Sequence, residues 1–208
     1  MKILLDDTPC DIDAANVGQA VAAAVGLAED SGRLVVEVLV DGNSLSEDEL
    51  QETPRLEADA TEVKVLTTTM GTLLHETFLE AAAALGSAAE SQTRAAEMLQ
   101  AGDTSVGMNE LVGALETWTG IRDAVVKGLE LAGVDPNGIE FDGTRLTDAI
   151  SSLQESLATL KEAMVADDLA ATCDCLLYEL PTVNETWGTV LKGLAHRFRD
   201  DPSSSASS

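Results

Sequence analysis

Val125-Val126-Lys127-Gly128-Leu129 and Val190-Leu191-Lys192-Gly193-Leu194 are two versions of one pentapeptide, the second standing 65 residues after the first (192 − 127). The same offset carries Asp103 onto Asp168, Leu111 onto Leu176 and Leu115 onto Leu180. It also carries Leu85 onto Ile150 and Leu99 onto Met164. Any two amphipathic helices align on leucine, but the shared Lys-Gly-Leu and the shared Asp are harder to obtain by chance. The spacing therefore predicts one helical hairpin present twice.

Working outward, the apolar period stays helical from Met70 onward. Leu73, Leu74, Phe78, Ala81, Ala82, Leu85, Ala88, Ala89, Ala96 and Leu99 line a first helix, broken at Gly102-Asp103. Val106, Met108, Leu111, Leu115, Trp118, Val125, Val126 and Leu129 line a second. A loop follows from Gly133 to Gly143. Leu146, Ile150, Leu153, Leu157, Leu160 and Met164 make a third helix, and Leu169, Cys173, Leu176, Leu177, Leu180, Trp187, Leu191 and Leu194 a fourth. Short breaks between helices favour antiparallel neighbours, so residues 70–199 are expected to form an up-down-up-down four-helix bundle. The Ser-rich tail, 200–208, reads as disordered.

Ahead of Met70 the pattern is that of strands. Lys2 to Leu5 reads as a strand, Asp6-Asp7-Thr8-Pro9 as a turn, and Cys10 to Ile12 as a short return strand. Val17, Ala20, Val21, Ala24 and Leu27 place a helix from about Ala14 to Glu29. Arg33 to Val40 is the strongest strand in the chain, apolar on both faces and therefore expected at the centre of the sheet. Ser46-Glu47-Asp48-Glu49 is a capping box for a short helix, and Glu62 to Thr67 a last strand. The expected class is α+β: a small domain over 1–67, then the bundle.

The order strand, strand, helix, strand, short helix, strand resembles the β-grasp fold of the ubiquitin-like sulfur carriers of thiamine and molybdopterin synthesis. The residues that carry the likeness are Met1 to Asp7, Val36-Glu37-Val38 leading into Asp41-Gly42-Asn43, and Val63-Lys64-Val65. Those carriers end in a free Gly-Gly, which is their reactive part. Here the chain runs on through Thr67-Thr68-Thr69 into a helix, so the resemblance implies a β-grasp-like fold without the sulfur chemistry.

Composition narrows the partners. A formal net charge of −25, from 12 Lys+Arg against 37 Asp+Glu, speaks against nucleic acid and anionic membranes, which need clustered cations. The nearest cluster, His196-Arg197-Phe198-Arg199, closes a helix, where cations complement the helix dipole. The acidity reads first as solubility. Three cysteines, with Cys173 and Cys175 two apart on a helix, fit neither a zinc ribbon nor a redox pair and read as buried thiols. The acidic start at Asp6-Asp7 leaves no room for a signal peptide, and no apolar run is long enough to cross a bilayer. A cytoplasmic location is expected.

No catalytic, cofactor-binding or metal residue is assigned by motif. His75-Glu76-Thr77-Phe78-Leu79 lacks the second histidine of a zinc-protease helix. His75 and His196 would nevertheless lie at one end of the expected bundle, where a metal or enzymatic site is the alternative reading. The clusters Asp6, Asp7, Asp11, Asp13 and Asp135 to Glu140 fit no EF-hand loop and read as turn and capping residues. Tyr178, Pro181 and Trp187 are the candidate partner-binding residues. Pro181 would bend the fourth helix and present the two aromatics in a groove; the plainer reading is that it opens a new helix and the aromatics fill the core. The leading expectation is a non-enzymatic interaction protein that binds another protein or a second copy of itself. The bundle is similar in general character to the acidic flagellar and secretion chaperones.

Overall fold

Strand ends in this chain are written in aspartate. A two-residue hairpin turn of type I′ has positive φ at both central residues, and the pairs Asp6-Asp7 (φ 48° and 65°), Asp41-Gly42 (48° and 82°) and Asp142-Gly143 (50° and 80°) supply it. In the computed structural model, which describes residues 1–52 and 60–199, every non-glycine residue with positive φ is an aspartate. The tail expected to be disordered lies outside the described residues. The chain divides at Leu73 and Leu74 into two compact units.

The first unit is a mixed sheet flanked by helices. Its elements are β1 (Lys2–Leu5), β2 (Thr8–Pro9), α1 (Val17–Asp30), β3 (Leu34–Val40), β4 (Asn43–Ser44), α2 (Glu47–Glu52) and β5 (Glu62–Thr68). The strand order is β2-β1-β5-β3-β4, with β1 parallel to β5 and the other pairings antiparallel. Asn16 caps α1 by accepting the Gln19 N–H at 2.9 Å. Val17, Ala20, Val21 and Ala24 then fall on one face and pack against Ile3, Val38, Val63 and Val65 of the sheet. The Ser46–Glu49 capping box forms as expected, the Ser46 N–H donating to the Glu49 carboxylate at 2.8 Å.

Two expectations are corrected. The return strand is Thr8–Pro9 rather than Cys10 to Ile12, because Asp6 and Asp7 complete the turn themselves. The centre of the sheet is β5 rather than β3, whose outer neighbour is the two-residue β4. A bulge between Val35 and Glu37 lifts Val36 out of the ladder and leaves it 53% exposed.

The second unit is a bundle of four helical runs. They are α3 (Met70–Gln100), α4 (Thr104–Ala132), α5 (Leu146–Val165), and a last run made of α6 (Leu169–Asp174), a π-helical turn (Cys175–Glu179) and α7 (Leu180–Arg199). The segment between α4 and α5, expected to be loop throughout, holds a 3-10 turn (Pro136–Gly138) and a small hairpin, β6 (Glu140–Phe141) and β7 (Thr144–Arg145). Neighbouring runs are antiparallel. Gly107 lies against Leu99 and Gly128 against Phe78 in the first pair, while Trp187 bonds to Ala149 and Cys175 to Ser156 in the second.

The repeat seen in the sequence is reproduced bond for bond at the hairpin turns. In the first, Ala101 N–H donates to the Glu97 carbonyl, Gly102 to Leu99, Asp103 to Met98 and Gly107 to Asp103. Sixty-five residues on, the same four bonds run from Ala166 to Glu162, Asp167 to Met164, Asp168 to Ala163 and Thr172 to Asp168. Gly102 and Asp167 take the left-handed position in each.

Candidate functional site

Pro181 sits inside a continuous helical path from Leu169 to Arg199. Proline has no N–H to give its i−4 partner, and the π turn before it absorbs the defect: the Leu180 N–H reaches back five residues to the Cys175 carbonyl. Pro181 is thus the second residue of α7, directly after the π turn. Trp187 is fully enclosed, its Nε1–H donating to the Ala149 carbonyl at 3.1 Å and its ring meeting Trp118 edge-on, 5.5 Å between centroids. Of the three residues singled out for a partner, Tyr178 alone is well exposed, at 71%.

The π turn also turns the two close cysteines apart. The Cys173 thiol points to the Ala96 carbonyl of α3 at 3.8 Å, the Cys175 thiol to the Ser156 carbonyl of α5 at 3.5 Å. Burial, with Glu179 nearby, pushes Cys175 up to about 12, and burial raises Cys173 as well.

His75 and the end of α7 do meet. The His75 Nδ1 lies 2.7 Å from the Ala195 carbonyl oxygen, which can only accept, so Nδ1 carries the proton. His196, the next residue, is exposed. Among the described residues, no three His, Cys, Asp or Glu side chains converge as a metal site requires. The bundle end has a different character.

There, the tip of the β6–β7 hairpin folds onto α7 and leaves a groove of about 690 Å³. Phe141 forms its floor by lying against Gly193, where a Cβ would overlap the ring. Thr189, Lys192 and His196, three to four residues apart on one helix face, form one wall with Arg197 beside them; Glu140 and Asp142 form the other. Glu140 is paired with Arg145 at 3.8 Å.

A second concavity of about 510 Å³ runs between α4 and α5. Leu115, Leu157, Leu160, Met164 and Val165 line it, with Lys161 the one charged member. Val165 is 80% exposed, extreme for a valine. Leu115, Leu157 and Met164 were expected in the bundle interior; they are half-buried, packed on the core from this side. Neither groove is legible in a motif. The bundle-end groove does leave a sequence signal in the repeat, where Ala124, Leu131 and Ala132 of the first copy become Thr189, His196 and Arg197 of the second.

No helix among the described residues is long and apolar enough to cross a membrane. Comparison with protein-family models, with curated proteins and with solved structures finds no match to this chain.

Proposed function

We propose that the bundle is a non-enzymatic protein-interaction module, an adaptor or chaperone-like body, whose docking surface is the apolar groove between α4 and α5. The observation that carries this reading is that groove: a water-facing trough walled by leucine, methionine and valine side chains. Clustered exposed apolar surface of this kind is costly to leave in water and marks sites that partners cover. The occupant is a segment of another protein that carries apolar side chains flanked by lysine or arginine. Exposed Glu116 on α4, and Glu155 and Glu162 on α5, complement such flanks. A second copy of this chain suits the groove less well, because two bodies of formal charge −25 repel.

The strand order with β1 parallel to β5 supports a β-grasp-like first unit, and the run from β5 into α3 supports a fold used without a reactive terminus. Three thiols, none of them in a disulfide, support a reducing, cytoplasmic setting.

The test is affinity capture from native extract with the wild-type chain and with Val165→Glu/Leu157→Glu side by side. A partner held by the wild type and lost from the variant, and contacting the groove through a cationic apolar segment in cross-linking, is the expected result. Equal capture by both proteins overturns the reading. So does a groove occupied only by another copy, seen as a dimer in light scattering that the variant abolishes.

A further inference from the structure

Cations are scarce in this chain, 12 Lys+Arg against 37 acids, yet Lys192, His196 and Arg197 converge on one concavity within six residues. Among the described residues neither Lys192 nor Arg197 is engaged in an ion pair, and Glu140 across the groove is turned to Arg145. His196 and Arg197 stand in the last turn of α7, where they also complement the helix dipole, but the repeat shows that this is not a requirement of the scaffold. The last turn of α4, the equivalent helix of the first copy, holds no basic residue and is closed by Gly133 instead. Lys192 lies before the last turn and is not explained by the dipole.

The repeat isolates what changed. Gly128 and Gly193 are equivalent, and each accepts an aromatic ring against its backbone, Phe78 in the first copy and Phe141 in the second. Phe78 is fully buried. Phe141 is half-buried, with the rest of its ring open to the groove. Around this shared ring-on-glycine contact, the first copy has Ala124, Leu131 and Ala132, and the second has Thr189, His196 and Arg197. One scaffold has thus been kept apolar and closed at one end of the repeat, and made open and cationic at the other.

We propose that the bundle-end groove binds a small organic anion with a flat apolar body. Lys192 and Arg197 take the charge, with Arg197 able to engage two oxygens at once, and His196 lies beside them on the same wall. Phe141 stacks on the body of the ligand. Asp142 on the far rim accepts from any hydroxyl or amine the ligand carries. A volume of about 690 Å³ suits a molecule of this size. Aromatic carboxylates and phosphate monoesters that carry an aromatic ring share the required chemistry. This site is separate from the α4–α5 groove and does not depend on the function proposed for it.

The full chain is titrated with benzoate, adenosine monophosphate and inorganic phosphate, followed by heteronuclear NMR and calorimetry. Saturable binding of benzoate or adenosine monophosphate with a Kd of about 1 mM or tighter is expected, with shifts centred on Phe141, Lys192 and Gly193. Benzoate alone identifies the carboxylate class, the nucleotide alone the phosphate-ester class. Lys192→Gln/Arg197→Gln, both solvent-exposed positions, is expected to weaken binding at least about tenfold without changing the circular dichroism spectrum. No saturable shift with either aromatic anion up to about 10 mM overturns the proposal. Equal binding of neutral benzamide and adenosine, of inorganic phosphate, or of both anions by the double variant overturns it too.

Discussion

Thr67 closes its backbone N–H and its hydroxyl on the two oxygens of one carboxylate, that of Asp6, at 2.7 and 2.6 Å. Arg33 completes the cluster, 3.2 Å from the same carboxylate and donating to the Thr67 carbonyl at 3.1 Å. Three segments distant in sequence, the β1–β2 turn, the start of β3 and the end of β5, are fastened by one acid.

Asp6→Asn keeps the left-handed turn conformation, which asparagine tolerates, but removes the charge and turns one of the two oxygens that accept from Thr67 into an amide donor. Burial alone would raise the Asp6 carboxyl, but the two Thr67 bonds and the Arg33 guanidinium outweigh it and hold it below the usual carboxylate range. A depressed folded value means stability present above the unfolded value of about 4 and lost as pH falls through the folded one. Asp6 is about a third exposed, so the loss at neutral pH is set at about 1–2 kcal/mol rather than the full strength of a buried charged network. Urea unfolding of wild type and variant at pH 7 and at pH 3 checks it: the difference shrinks in acid.

Cys10 is half-buried, and Cys173 and Cys175 are enclosed. Burial pushes Cys175 up to about 12, so its thiol stays protonated at pH 8. A chromogenic disulfide reagent added to native protein is expected to titrate one thiol quickly, and all three in denaturant. Two fast thiols in the native protein would contradict the packing around the π turn.

Gln92 and Asn184 form an incompletely satisfied polar pair between α3 and α7. The Asn184 Nδ2 donates to the Gln92 Oε1 at 2.8 Å, while the Gln92 Nε2 and the Asn184 Oδ1 find no partner. Removing one member strands the other, so Asn184→Leu alone is expected to cost about 1–3 kcal/mol. Replacing both by leucine removes the desolvation penalty together with the bond and is expected to be neutral or stabilising. A double-mutant cycle on thermal unfolding measures the coupling.

Much of this fold can be read from single residues. The Lys-Gly-Leu repeat and the Gly102-Asp103 break place the hairpins because helical period and capping are local properties. What escaped the reading depends on a third dimension. Val36 looks like core until a bulge turns it outward, and Tyr178, read with Trp187 as a core aromatic, is left exposed while Trp187 is enclosed by Trp118 and the Ala149 carbonyl. The two grooves arise where elements distant in sequence leave space between them, and residue period carries no record of such gaps. Arg197 is legible as a helix-end charge, and His196 as that or as a partner of His75; the hairpin that brings Phe141 to them is what makes a wall of them.

Glycines in α4 divide by what their missing side chain would meet. A Cβ at Gly128 would lie 2.9 Å from the Phe78 ring and 3.1 Å from Leu74, whereas at Gly120 it would meet nothing within 4 Å. Alanine recovers about 0.5–1 kcal/mol of helix propensity at either position. At Gly128 overpacking outweighs this gain, with a net loss of about 1–2 kcal/mol expected. Gly120→Ala is expected to raise the melting temperature and Gly128→Ala to lower it, and scanning calorimetry of the two variants reads both signs.

The repeat sets up one internal comparison in which nature has already made the substitution. Gly102 and Asp167 occupy the same left-handed turn position, at φ 85° and 54°, with the same hydrogen bonds on either side. A side chain in that region strains against its own backbone; aspartate suffers less than most residues, glycine not at all. Among the described residues no hydrogen bond of the turn uses the Asp167 side chain, whereas the neighbouring Asp168 carboxylate accepts the Ala171 N–H at 3.0 Å. Asp167→Gly is therefore expected to stabilise the second hairpin by up to about 1 kcal/mol, and Gly102→Asp to destabilise the first by a similar amount. The two effects should add, since the turns share no partners. Chemical unfolding of the two single variants and the double variant tests this: the double returns to the wild-type midpoint if the turns are true equivalents, and departs from it if the second turn relies on the Asp167 carboxylate.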